Sequence, residues 1–226
     1  GFDGRVPPYH PCRTVEEMAD RYLIELRRVQ PKGPYRLIGF CLGGLIALEV
    51  ARRLRDAGEQ VVFLGLINSL PVAIPGESID AQGQPVGGGK NGLWARLFGR
   101  EGQLRGLRTR LRTAAVPQIY PWLVRLGLPV KPEFILQEIG QFGWRMVQRY
   151  VPREYPGPAW IFHGSHGPRD AMERWRSVAT GGIEAHRFET DHYGLMNEPY
   201  VGEMTRRLNE SLRAAEQRAG ISSKQL

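Results

Sequence analysis

The chain reads as an α/β protein built on a mostly parallel sheet. Three features predict this. A short apolar strand, Tyr35-Arg36-Leu37-Ile38, runs with almost no linker into a helical pattern from about Leu42 to Arg55. A second, wholly apolar strand, Val61 to Ile67, follows that helix. A helix between two apolar strands implies a parallel crossover, because only a strand covered on both faces reads as an unbroken hydrophobic run. Two further strand patterns, Pro158 to Gly164 and Ile183 to Phe188, complete the alternation with helices around Met172 to Val178 and about Pro199 to Gln217.

Each element has its punctuation. Thr14-Val15-Glu16-Glu17 is a capping box, and Val15, Met18, Tyr22, Leu26 and Val29 continue an amphipathic helix that Pro31 ends. Pro31-Lys32-Gly33-Pro34 is the turn into the first strand. In the next helix Leu45, Leu48, Ala51 and Leu54 share a face, and Gly58 is its stop. From Pro71 to about Lys90 the composition shifts to Gly, Pro, Ser and Gln, the pattern of a mobile loop. Helical patterns with many arginines and aromatics then run from Leu93 to Gln148. The stretch from roughly 72 to 150 is too long for a simple crossover and is expected to be a helical lid inserted over the sheet. The tail Ser222 to Leu226 is expected to fray.

Composition bounds the answer. The 226 residues, 42% hydrophobic and 24% charged, suit one domain over 1–226 with a substantial core. No apolar run is long enough to span a bilayer and no signal peptide is visible, so a cytoplasmic protein without a membrane partner is expected. The two cysteines, Cys12 and Cys41, make neither a disulfide framework nor a metal-ligand pattern, so no metal or bound cofactor is expected. The net charge is +8, with Arg96, Arg100, Arg105, Arg108, Arg110 and Arg112 crowded beside a single acid, Glu101. No recognition fold or stacking pattern accompanies them, which argues against nucleic acid and for a solvated basic face or one that meets an acidic protein.

The informative motif is Gly39-Phe40-Cys41-Leu42-Gly43-Gly44, between the first strand and its helix. Gly-x-Cys-x-Gly in that place has the layout of a nucleophile elbow with a thiol at its apex, and Gly39, Gly43 and Gly44 remove the bulk that so sharp a turn forbids. At a helix N-terminus Cys41 is expected to have a lowered pKa, and the Leu42 N–H to serve as an oxyanion donor. The competing reading is a small apolar cysteine at a tight turn. Among His10, His163, His166, His186 and His192, only His192 lies in a loop between the last strand and the final helix, where an elbow enzyme draws its base. Asn68, at the end of the second strand, is the expected orienter of that imidazole. It can fix the tautomer without supplying charge, a combination that suits a thiol. Asp170 is the alternative orienter, and Asp191 is adjacent to the base and too close in sequence to serve it.

Taken together these blocks resemble the thioesterase domains that end nonribosomal peptide synthetases and polyketide synthases, in a cysteine-nucleophile form. The resemblance rests on Gly1-Phe2-Asp3-Gly4 with Pro7-Pro8, on Thr14 to Ala19, and on Gln30-Pro31-Lys32-Gly33-Pro34-Tyr35-Arg36-Leu37 leading into the elbow. It rests also on Asp191-His192-Tyr193 with Glu198-Pro199-Tyr200-Val201. It implies an α/β-hydrolase fold with a helical lid, and an acyl or peptidyl chain passed from the phosphopantetheine arm of a carrier protein to Cys41. Release by hydrolysis or by cyclisation follows, with His192 as base. Asn68 and Cys41 stand where the family usually has aspartate and serine. The family also places two or three strands and a helix before the Gly-Phe-Asp-Gly segment, where this sequence starts. That leaves open a piece of a longer synthetase or a reduced domain, and implies an exposed sheet edge. Two other functions fit the residues: a Cys-His hydrolase of small esters or lactones, similar to dienelactone hydrolases, and a carrier-docking domain without catalysis. A catalytic Cys41 is expected to alkylate faster than Cys12 below pH 7, a docking domain's is not.

Overall fold

The computed structural model describes residues 12–71, 143, 145–165 and 170–221. Four strands, β1 (Tyr35–Phe40), β2 (Val61–Ile67), β3 (Ala159–Gly164) and β4 (Ile183–Phe188), form one sheet in the order β1-β2-β3-β4. Every neighbouring pair is parallel, so all four C-terminal ends open onto the same edge. The helices are α1 (Val15–Val29), α2 (Leu42–Asp56), α3 (Ala171–Val178) and α4 (Tyr200–Arg218). Helical geometry also covers 145–149, ahead of β3. The expected lid, the Pro71 to Lys90 loop and the arginine group at 96–112 otherwise lie outside the described residues, as does the tail.

The elements end where local chemistry ends them. Thr14 Oγ1 accepts the Glu17 N–H at 3.1 Å, and Glu17 reaches back to the N–H of Arg13 at 2.5 Å, one residue before the cap. Helix α2 stops at Gly58, whose φ of 77° turns the chain back into β2. All seven residues of β2 are buried, as its unbroken apolar run requires of a central parallel strand. Alternation along β3 divides the core: Ala159 and Ile161 join the cluster under α1, α2 and α3, while Trp160 and Phe162 join the cluster under α4. Among the described residues β1 is a sheet edge, with Ile38 47% exposed, in line with the expected open edge.

One charged group is buried in the first cluster. Glu49 of α2 is hydrogen-bonded by Arg52 and Arg53 at 2.8 Å and by the Tyr150 hydroxyl at 3.1 Å. Burial raises its pKa, but the bonds and charges of the two guanidinium groups outweigh burial and hold the carboxyl below its ordinary value. The same burial, with Glu49 next, pushes the Tyr150 phenol well above its own. Tyr150 thereby fixes the end of the 145–149 helix to the helix that carries the elbow.

Candidate active site

The site is assembled at the C-terminal edge of the sheet, where ligands bind in open parallel folds. Cys41 caps α2 with φ 54° and ψ −123°, a left-handed conformation for a residue with a side chain and the strained apex that the motif predicts. The turn is held by the Cys41 N–H donating to the Ile67 carbonyl at 2.9 Å and by Gly44 N–H closing on the Cys41 carbonyl at 3.1 Å. Two glycines make this backbone path feasible. A Cβ on Gly39 would lie 2.2 Å from the Gly43 carbonyl oxygen, and one on Gly44 would lie 1.9 Å from Ser69 Oγ. Gly43 differs from the expectation: a Cβ there meets nothing within 4 Å, so helix and strand do not require a glycine at that position.

Asn68, the next residue after β2, also has positive φ, 44°, a region asparagine tolerates better than most residues. Its side chain bridges two loops. Nδ2 donates to the His192 carbonyl at 2.7 Å and Oδ1 accepts the Gly164 N–H at 2.8 Å. Asn68 therefore grips the His192 loop by its main chain, a different attachment from the imidazole contact anticipated for it. The loop approaches β3 so closely that a Cβ on Gly164 would sit 2.4 Å from the Thr190 carbonyl oxygen. The imidazole lies on the Phe40 ring, centroids 5.0 Å apart and tilted 42°, and meets Tyr193 edge-on at 5.0 Å. Phe40 is the residue before Cys41, so Cys41 and His192 share one corner of the sheet. Asp170 caps α3, and its Oδ2 accepts from Arg174 Nε at 2.7 Å. His186 is bound between β4 and α4 by Glu184 and Ser211 at 3.1 Å each, and His163 contacts the Gly164 carbonyl at 3.1 Å; His10 and His166 lie outside the described residues.

The electrostatics correct one expectation. Burial pushes the Cys41 thiol above its ordinary pKa; the Leu42 N–H directed at the sulfur pulls the other way but is the smaller effect. Proximity to a helix N-terminus does not overcome desolvation here. Burial likewise pulls His192 below its ordinary value, with Asp191 opposing. Both shifts favour the uncharged forms, so the resting pair is thiol and neutral imidazole.

Two residues take supporting roles that a reading of the sequence did not assign them. Ser69 is buried and donates to the Cys41 carbonyl at 2.7 Å, while its own carbonyl accepts from Trp175 Nε1 at 3.0 Å, tying the elbow to α3. Asp191, next to the base, accepts the N–H groups of Tyr193 and Gly194 at 3.1 and 2.6 Å and so shapes the turn that carries His192. The sequence signal for Asp191 was its place two and three residues before those donors. Ser69 offered only its neighbourhood to Asn68. Among the described residues no group of three or more His, Cys, Asp and Glu side chains could hold a metal ion, and no helix is long and apolar enough to cross a membrane.

Comparison with known proteins agrees with this geometry. Residues 3–84 match the family model of the thioesterase domain. Vanchrobactin synthetase VabF of Vibrio anguillarum is 28% identical over 207 residues, 88% of this chain but 6% of that protein. Atromentin synthetase of Tapinella panuoides is 46% identical over 65 residues, 28% of this chain and 7% of that one. The chain thus spans a small fraction of the curated relatives it matches. Among solved structures, the NocB thioesterase domain from the nocardicin cluster superposes with a TM-score of 0.59 at 24% identity, over 91% of this chain and 77% of that one. With its parallel sheet, its strained elbow and its histidine loop after the last strand, the chain has the α/β fold of the NocB thioesterase domain, and its first third matches the thioesterase-domain model.

Proposed function

We propose that the domain releases an acyl or peptidyl chain from the phosphopantetheine arm of a carrier protein through a thioester on Cys41. The observation that carries this reading is the left-handed Cys41 at a strand-to-helix turn, with the Leu42 N–H directed at its sulfur. Strain of that kind persists only where surrounding structure enforces it, and here Gly39, Gly44 and Ser69 do so.

The chemistry follows from the neutral pair. As the sulfur attacks the thioester carbonyl, His192 takes the S–H proton, and the new oxyanion forms beside the Leu42 N–H. Collapse breaks the bond to the pantetheine sulfur, which leaves with the proton held by His192. The acyl group is now a thioester of Cys41. A water molecule, or a nucleophile within the chain itself, gives its proton to His192 and attacks the same carbonyl, and Cys41 departs as thiol with that proton. Thioester exchange changes little in bond energy, so the second nucleophile sets the direction. The carrier partner is supported by the kind of relatives matched, which are multidomain synthetases, and AB3403, a four-domain nonribosomal peptide synthetase, is among the fold neighbours at a TM-score of 0.59.

The test is intact-mass analysis of the protein with an acyl-pantetheine thioester. An adduct that maps to Cys41, decays with time and is absent in Cys41→Ala is expected. Folded protein that acquires no adduct overturns the reading and favours a docking domain.

A further inference from the structure

Several arginines among the described residues pair with acids: Arg36 with Glu216, Arg52 and Arg53 with Glu49, Arg174 with Asp170 and Arg206 with Glu210. Three others meet at one place. Arg13, Arg145 and Arg149, with the buried Met146 at the base, line an open pocket of about 250 Å³, and among the described residues no carboxylate pairs with any of the three guanidinium groups. Arg145 and Arg149 are one turn apart on the 145–149 helix and so share a face, a like-charge placement that costs stability unless an anion relieves it. Arg13 immediately precedes the cap of α1, which brings a third guanidinium from a separate element to the pocket. Of the two acids in the first turn of α1, Glu17 is held on the Arg13 N–H.

The position relates the pocket to the elbow. The helix that carries Arg145 and Arg149 is anchored to α2 at both ends. A Cβ built on Gly143 falls 3.2 Å from the Leu42 side chain, and the Tyr150 hydroxyl bonds Glu49. Leu42 and Glu49 are seven residues apart, about 10 Å along a helix. The pocket therefore lies within about 10 Å, along α2, of the residue that follows the nucleophile.

We propose that Arg13, Arg145 and Arg149 form a phosphate-binding pocket that receives the phosphodiester of the substrate's pantetheine arm. This rests on the function proposed above. Arginine presents forked N–H pairs that match phosphate oxygens, and three such groups more than offset the single negative charge of a phosphodiester. From phosphorus to sulfur the arm has thirteen bonds, which span roughly 15 Å when extended, at the rate of three backbone bonds per residue. That length exceeds the roughly 10 Å along α2 that separates the pocket from Leu42.

Titration calorimetry of the full chain with phosphopantetheine, pantetheine and inorganic phosphate tests this directly. Phosphopantetheine is expected to bind at least about tenfold tighter than pantetheine. The preference should shrink as salt rises and should vanish in Arg145→Gln/Arg149→Gln while pantetheine binding stays unchanged. Arg13→Gln, on a separate element, should show the same selective loss, and unchanged thermal melts exclude misfolding. Equal binding of phosphopantetheine and pantetheine by the native protein, or a preference that survives in the double variant, overturns the site. Inorganic phosphate binding as tightly as phosphopantetheine, with the same arginine dependence, overturns the assignment to the arm. Acylation of Cys41 by acyl-pantetheine needs no phosphate, so failure of the proposed function is read separately.

Discussion

Alkylation of Cys41 by iodoacetamide, followed by intact mass from pH 6 to 10, separates two kinds of cysteine enzyme. A thiolate-imidazolium pair holds its sulfur charged over the whole range and reacts at a rate that is nearly constant with pH. In this structure burial raises the thiol and lowers His192 from their ordinary values. Even an ordinary cysteine, with a pKa of about 8.5, is only about 3% thiolate at pH 7, against about half for a catalytic thiol with a pKa near 7. The alkylation rate is therefore expected to rise about tenfold per pH unit through pH 8 with no plateau there, and to be more than about tenfold slower at pH 7 than for such a thiol. Slow alkylation below pH 7 then says nothing against catalysis, contrary to what the position of Cys41 on a helix first implies. His192→Ala should leave this profile in place while slowing acylation by acyl-pantetheine at least about a hundredfold, because only acylation draws on the base. A rate that levels off below pH 7, and loses that plateau in His192→Ala, would refute the neutral pair.

Three other outcomes follow from the same geometry. A base that works as neutral imidazole fails when it is protonated, so with burial lowering its pKa the acid limb of kcat/KM for acyl-pantetheine should have its midpoint below that of an ordinary histidine; a pH-rate profile with its midpoint above that of an ordinary histidine contradicts the burial of His192. Gly44→Ala places a Cβ 1.9 Å from Ser69 Oγ and should destabilise the fold by about 1–3 kcal/mol or more, whereas Gly43→Ala, in open space within α2, should be neutral or stabilising by up to about 1 kcal/mol; urea denaturation of the pair checks both. Asn68→Asp keeps an acceptor for Gly164 but sets a carboxylate oxygen against the His192 carbonyl in place of a donor; a loss of about 1–3 kcal/mol is expected in the same assay, and unchanged stability would show that the amide is dispensable.

The sequence carried those features that depend on neighbours along the chain. Helix α2 could be bounded because Cys41 follows a strand without a linker and Gly58 supplies the left-handed stop. Strand β2 could be placed in the middle because all of its positions are apolar. His192 stood out by chain order alone. The features that were not legible join residues far apart. Asn68 holds positions 96 and 124 residues away, and whether it meets the ring or the main chain of His192 depends on how β3 and the last loop converge. The thiol's pKa could not be read from its place on a helix, because desolvation is set by what packs around it, and burial proved the larger effect. Gly43 looked like its neighbours in the motif, and only the direction of its missing Cβ tells it apart.

The pairing of Cys41 with Asn68 has a physical logic once the resting charges are fixed. In the proposed reaction the proton moves from a thiol whose pKa burial raises to an imidazole whose pKa burial lowers, an uphill transfer that the transition state must offset. An aspartate at position 68 would lower that cost from the imidazolium side, but here the side chain of Asn68 supplies no charge and instead bonds the main chain of His192 and of Gly164. In the proposed reaction stabilisation would therefore be concentrated at the other end of the transfer, where the Leu42 N–H and the N-terminus of α2 face the sulfur and would face the oxyanion its attack creates. Negative charge on sulfur is far less costly than on a hydroxyl oxygen, so a thiol can accept an arrangement that favours the nucleophile over the base. By the same reasoning Cys41→Ser should fail at the first step, with no acyl-enzyme formed, even though the hydroxyl fits the same turn.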